Sequence, residues 1–198
     1  MDAFAAWVGE LYAQLGYGQI VLLMALESSV FPVPSELVMI PAGYLSRTGR
    51  LDPVLSVVAG TAGSLIGASA NYLFARYAGR ALLLRYGKYV LIDERKYHLA
   101  EAMFLRNAKL ATFTGRLLPV VRHLISLPAG VFAMPAGAFA ALTALGAAVW
   151  CSVLVAAGYF FGEPAVRIAS AFTHELAIVV VLALVAFLGW LVWQARKS

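Results

Sequence analysis

Val30-Phe31-Pro32-Val33-Pro34-Ser35-Glu36-Leu37-Val38-Met39-Ile40-Pro41-Ala42-Gly43-Tyr44 places three prolines and a glycine in fifteen residues. A proline inside a helix removes a backbone hydrogen bond and its ring collides with the preceding turn. The residue before it is pushed toward extended backbone. The stretch therefore predicts an interrupted segment, with Pro32, Pro34, Pro41 and Gly43 as the breaking residues. After Glu36 only ten residues, Leu37 to Ser46, are free of charge, about half of the ~20 that a membrane-crossing helix needs. A short, broken apolar segment predicts a re-entrant hairpin that enters the bilayer and leaves on the same side.

The surroundings are those of a membrane protein. Only 13% of the 198 residues are charged, 62% are hydrophobic and the mean hydropathy is +0.83, whereas roughly a quarter of a soluble domain is charged. The charge-free runs Val54–Ala75, Leu124–Gly162 and Leu176–Ala195 hold 22, 39 and 20 residues. They predict crossing helices over about 51–75, 136–161 and 176–193. Phe4, Trp7, Val8, Leu11 and Leu15 fall at helical spacing, which predicts an amphipathic surface helix over 2–15. Met1-Asp2-Ala3-Phe4 lacks the basic start of a signal peptide, so the first apolar segment is expected to be retained. Cys151, the one cysteine, reads as a small buried apolar residue.

The net charge of +5 does not point to nucleic acid. Eight of the fifteen Lys and Arg lie between Arg76 and Lys109, and Arg196 and Lys197 lie near the C-terminus. Basic loops beside apolar spans face the cytoplasm and meet anionic lipid headgroups. Counting the crossings puts both termini on that side.

A second interrupted segment, Leu110–Met134, repeats the first. Leu127-Pro128-Ala129-Gly130 matches Ile40-Pro41-Ala42-Gly43 at a distance of 87 residues, and Pro119 precedes it as Pro34 precedes Pro41. Pro119, Pro128 and Gly130 are the breaking residues expected here. Charges stand at comparable offsets: Glu27 and Glu36 before Pro41, Arg116 and Arg122 before Pro128. Two broken segments at matching places in two halves point to a transporter's binding site. The expected architecture is an all-α polytopic membrane protein forming one membrane domain. Its two inverted repeats, about 20–79 and 107–162, each comprise a re-entrant broken hairpin followed by a transmembrane helix. An N-terminal amphipathic helix and a C-terminal transmembrane helix flank them. Opposed hairpins would bring two carboxyls and two guanidiniums together near the midplane, where pairing offsets a burial cost of about 2.5–3.5 kcal/mol per charge.

These motifs resemble the DedA family, the bacterial branch of the VTT or SNARE-associated membrane proteins. The resemblance covers about residues 16–165. It rests on Glu27-x-x-x-Phe31-Pro32-x-Pro34-x-Glu36, Gly63-x-x-x-Gly67 followed by Tyr72, and Phe113-x-Gly115-Arg116-x-x-Pro119-x-x-Arg122. Pro128-Ala129-Gly130-x-x-x-Met134, leading to Gly146 and Trp150, completes the set. Ala68 departs from the pattern, since many members carry an acid there. The resemblance implies a bacterial cytoplasmic membrane protein that moves lipid, above all undecaprenyl phosphate, with coupling to protons; no cofactor or metal is expected. It also implies that Glu27, Glu36, Arg116 and Arg122 matter.

The side-chain chemistry is compatible with that role. Arginine binds phosphate through a fork of donors and keeps its charge in a dry site, which suits Arg116 and Arg122 to a lipid's phosphate headgroup. A carboxyl among apolar groups holds a proton more readily than one in water, which makes Glu27 and Glu36 the proton-coupling candidates. His123, beside Arg122, is an accessory candidate. A proton-coupled small-solute or ion transporter would use the same residues. A membrane-embedded lipid phosphatase is the third reading, although the usual phosphatase and metal motifs are missing. His174-Glu175 opens like a zinc-protease signature, but Ile178 occupies the place of its second histidine.

Overall fold

The computed structural model describes residues 15–29, 34–79, 94–118, 121–162 and 164. Among these residues every regular element is helical: α1 Tyr17–Glu27, α2 Glu36–Arg47, α3 Pro53–Phe74, α4 Glu94–Arg106, α5 Ala108–Arg116, α6 Val121–Leu124, α7 Ser126–Val131 and α8 Ala136–Phe161. Two are long and apolar enough to cross a membrane. At 1.5 Å per residue, α3 with 22 residues and α8 with 26 are about 33 and 39 Å long, against a hydrocarbon layer of about 30 Å. Their outward faces carry Val58, Ile66, Phe74, Leu145, Val153 and Phe160, the apolar surface that lipid solvates.

Local chemistry sets the start of α3. Asp52 accepts a hydrogen bond from the Leu55 N–H at 2.9 Å, and Pro53 occupies the first helical position. There its missing N–H costs nothing and its fixed φ suits the helix. The Asp52 N–H in turn donates to the Tyr17 hydroxyl at 2.8 Å, fixing the head of α3 to the head of α1. At its far end α3 runs into a π-helical turn, Ala75–Gly79.

The short helices have the expected half-membrane length, α1 and α2 being about 16 and 18 Å. The breaks, however, do not fall at every expected residue. Pro41 and Gly43 lie inside the continuous helix α2, and Pro128 and Gly130 lie inside α7. Pro128 is in the first turn of α7, where an N–H lacks an intrahelical partner. Pro41 forgoes one mid-helix bond, which buried, closely packed membrane helices tolerate. The interruptions sit earlier, between Glu27 and Glu36 and between Arg116 and Val121. Pro34 is at the first of them, and Pro32 and Pro119 are outside the described residues. The helix expected over 2–15, the span expected over 176–193 and the basic stretch 80–93 are also outside them.

Packing between the halves is crosswise. In each half the first short helix lies along its own long helix, α1 on α3 and α5 on α8. The second short helix lies on the other half's long helix, α2 on α8 and α7 on α3 and its π-helical turn. The repeated glycines make this possible. A Cβ on Gly43 would strike the Val155 carbonyl, and one on Gly130 the Tyr72 carbonyl. Gly63 and Gly67 give α3 the same backbone-level approach to Val21 and Ala25 of α1. Here the small residues are contact points, not breaks.

Tyr72 anchors the crossing. Its buried ring stacks on Phe139 at 4.5 Å between centroids. Its hydroxyl donates to the Met134 carbonyl and accepts from Arg76 Nη1 at 2.7 Å. Tyr72→Phe keeps the ring but removes the hydroxyl, leaving Arg76 Nη1 and the Met134 carbonyl only their own longer contact at 3.3 Å, so thermal unfolding in detergent should show a loss of about 1 kcal/mol. Exposed Tyr77→Phe should leave the unfolding curve unchanged.

Candidate functional site

The helix ends deliver the charged residues. Glu27 is the last residue of α1, and Ser35 and Glu36 open α2. Arg116 closes α5, and Arg122 and His123 occupy the single turn of α6. Each interruption thus sets polar groups at the tip of a short helix, in the protein's interior.

Glu27, Arg116 and Arg122 are 1%, 2% and 3% exposed. Arg122 Nη2 donates to Glu27 Oε2 at 3.3 Å, and Ser28 Oγ donates to the same oxygen at 2.9 Å. Arg122 Nη1 donates to Ser35 Oγ at 3.1 Å, as does Trp150 Nε1, also at 3.1 Å. The guanidinium lies 5.5 Å from the Trp150 ring centroid, within range for attraction to the ring face. Arg122 is therefore held by α1, by the head of α2 and by α8 together.

Arg116 differs. Its Nη1 donates to the Arg122 carbonyl at 3.1 Å and its Nη2 to Ser126 Oγ at 2.8 Å. Its guanidinium lies 5.7 Å from the Phe139 ring centroid. Gly146 leaves room for its stem, since a Cβ there would press on that of Arg116. Among the described residues Arg116 makes no salt bridge to a carboxylate, and its Nε is buried without a hydrogen-bond partner. The site thus holds one acid–arginine pair, Glu27 with Arg122, and one buried cation, Arg116, held by neutral acceptors.

Glu36 is half-buried and makes no hydrogen bond or ion pair among the described residues, although Glu27 and His123 lie within its Coulombic reach. His123 Nδ1 is 3.1 Å from the Glu27 carbonyl, and Nε2 is 3.8 Å from Glu27 Oε1, an oxygen with no hydrogen-bond partner. Asn71 donates to the next two carbonyls, of Ser28 and Ser29, so the end of α1 is capped from both halves.

Four members of this network, Ser28, Ser35, Asn71 and Ser126, are not apparent from charge patterns. The one available signal is position: Ser35 and Ser126 stand beside a helix start in a proline-rich stretch. Trp150 belongs to the motif set but shows its role only as the lid over Arg122.

A sequence model of the VTT domain matches residues 33–160. The chain belongs to the VTT-domain family. The undecaprenyl phosphate transporter A of Bacillus subtilis strain 168 is 33% identical to this VTT-domain protein over 175 residues, 86% of each chain. An alkaline phosphatase-like protein of Lactococcus lactis subsp. cremoris is 30% identical over 93% of this chain and 89% of its own. An inner membrane protein of Escherichia coli K12 is 27% identical over 79% and 72%. No solved structure matches. The DedA resemblance of the motifs agrees with this membership, and the long apolar helices are those of a membrane protein.

Proposed function

We propose that this VTT-domain protein moves a phosphate-headed lipid, of the polyprenyl-phosphate class, across the bacterial cytoplasmic membrane in exchange with protons. Arg116 is the observation that carries the reading. A cation buried to this degree without a carboxylate partner is costly, and a phosphate oxygen at its unpartnered Nε would supply the missing counter-charge. Arg122 is already neutralised by Glu27. Protonating Glu27 would release Arg122 to a second phosphate oxygen, so proton uptake and headgroup binding would favour the same state. Glu36, half-exposed beside them, is a second proton carrier.

The crosswise packing supports two related halves of opposite orientation forming one membrane domain, with hairpins α1–α2 and α5–α7 re-entering from opposite faces and both termini in the cytoplasm. The relatives' names add support: one is a transporter of undecaprenyl phosphate and another an inner membrane protein.

In vesicles reconstituted with the pure protein, Arg116→Gln should slow movement of a fluorescent phosphate-headed lipid by about tenfold or more, the scale of a lost charge-assisted hydrogen bond. Arg116→Lys should retain part of the rate. Parental transport by Arg116→Gln would sink the proposal. The name of the Lactococcus relative keeps phosphate-ester hydrolysis in view, and release of inorganic phosphate from the same lipid would favour that reading instead.

A further inference from the structure

The Glu27 backbone carbonyl can only accept a hydrogen bond, so the ring nitrogen 3.1 Å from it, His123 Nδ1, must carry a hydrogen. In a neutral imidazole the other nitrogen, Nε2, is then an acceptor. It stands 3.8 Å from Glu27 Oε1. That oxygen is buried and has no donor, although Oε2 of the same carboxylate receives two. Two facing acceptors repel; a single proton between them makes the contact attractive, and a small closing movement from 3.8 Å would make it a hydrogen bond. Exposure is graded in the right sense. His123 is 31% exposed and Glu27 is 1% exposed, so the imidazole is the more accessible of the two groups while its Nε2 stands toward the buried acid.

We propose that His123 is the proton relay for Glu27, passing one proton between the accessible side and Glu27 Oε1 through Nε2. In the inward step the Nε2–H bond of the imidazolium breaks and an Oε1–H bond forms. The ring returns to the neutral Nδ1–H tautomer, the carboxylate becomes the acid, and no other electron pair moves. Glu27 then no longer neutralises Arg122. The charged groups acting on the ring are Glu27 from α1, Glu36 from the head of α2, Arg116 from α5 and its neighbour Arg122. This assignment rests on the reading of Glu27 as a proton carrier.

His123→Asn tests it, because the shorter amide can still donate to the Glu27 carbonyl while the Nε2 position is lost. Infrared difference spectra of the purified protein against pH report Glu27 directly, as the acid carbonyl band absent from Glu27→Gln. In the parent, that band and the imidazole ring bands should change over the same pH range. In His123→Asn the Glu27 band should titrate over a different range. In reconstituted vesicles His123→Asn should move phosphate-headed lipid about tenfold or more slowly with a flattened pH profile, as expected when a positioned acid–base group is removed. Imidazole added to His123→Ala should restore part of the rate. After a rapid pH step the Glu27 acid band should form about tenfold or more slowly in His123→Asn than in the parent, and an unchanged rate overturns the relay, whether or not the parent moves lipid. A slowed Glu27 protonation in His123→Asn, in a protein whose parent moves no lipid, would uphold the relay and overturn the transport reading alone.

Discussion

Arg122→Leu should unfold in detergent with a loss of about 3–5 kcal/mol, the cost of leaving a buried carboxylate without its partner. Glu27 is fully enclosed, and the other donor to its carboxylate, Ser28 Oγ, is neutral. The double variant Glu27→Gln/Arg122→Leu should recover much of that loss, since no buried charge then remains at the pair. Ser35 and Trp150 would keep their mutual hydrogen bond in both variants, so the cycle isolates the ion pair. Thermal melts of the parent, the two single variants and the double variant give the coupling energy. Simple additivity would mean that the two charges do not depend on each other. Transport would fail in both the Arg122 variant and the double variant, separating what the pair does for the fold from what it does for the lipid.

Gly43→Ala and Gly158→Ala should be comparably damaging, and for a reason unrelated to charge. A Cβ on Gly158 would strike the Ile40 carbonyl and crowd the Tyr44 N–H; a Cβ on Gly43 would strike the Val155 carbonyl and crowd the Tyr159 N–H. The obstructing atoms are backbone in every case and cannot swing aside as side chains do. Pushing α2 away from α8 should cost about 3 kcal/mol, the upper end for an overpacked core. The expected result is loss of the monodisperse peak in size-exclusion chromatography. Gly18→Ala and Gly137→Ala are the controls, because nothing stands within 4 Å of the added carbon at either helical position. They should keep full stability or gain up to about 1 kcal/mol from helix propensity. Tolerance at Gly158 would mean that the two helices are not held at backbone contact.

The long helices are the most legible part of the fold. Charge-free runs predict 51–75 and 136–161, and the helices lie at Pro53–Phe74 and Ala136–Phe161. Their boundaries are local, set by Asp52 and Pro53 at one start and by Pro135 before Ala136 at the other. The convergence of Glu27, Arg116 and Arg122 could be anticipated from their matched offsets around the repeat. Which acid meets which arginine could not, because Glu27 and Arg122 are 95 positions apart and meet only through tertiary packing. Pro41, Gly43, Pro128 and Gly130 lie inside helices and not at the breaks for a related reason. Proline and glycine signal a break when judged by backbone propensity alone, but in α2 and α7 both lie within the helix, and Gly43 and Gly130 serve close approach to a neighbouring helix. Serine hydroxyls such as Ser35 and Ser126 carry no composition signal at all; their role exists only once the guanidiniums are in place.

The crosswise seating of α2 has a consequence for how the chain is born. Gly43 rests against Val155, a residue synthesised 112 positions later (155 − 43 = 112). At about 5–20 residues per second this is a wait on the order of ten seconds. Throughout that interval the nascent α2 lacks its seat on α8, and for most of it Glu27 lacks Arg122, the arginine that neutralises it. The early chain must therefore be sheltered by the insertion machinery or by lipid until the last turns of α8 arrive, and α2 is seated by a clasp closing at residues 155–159 instead of bead by bead from the N-terminus.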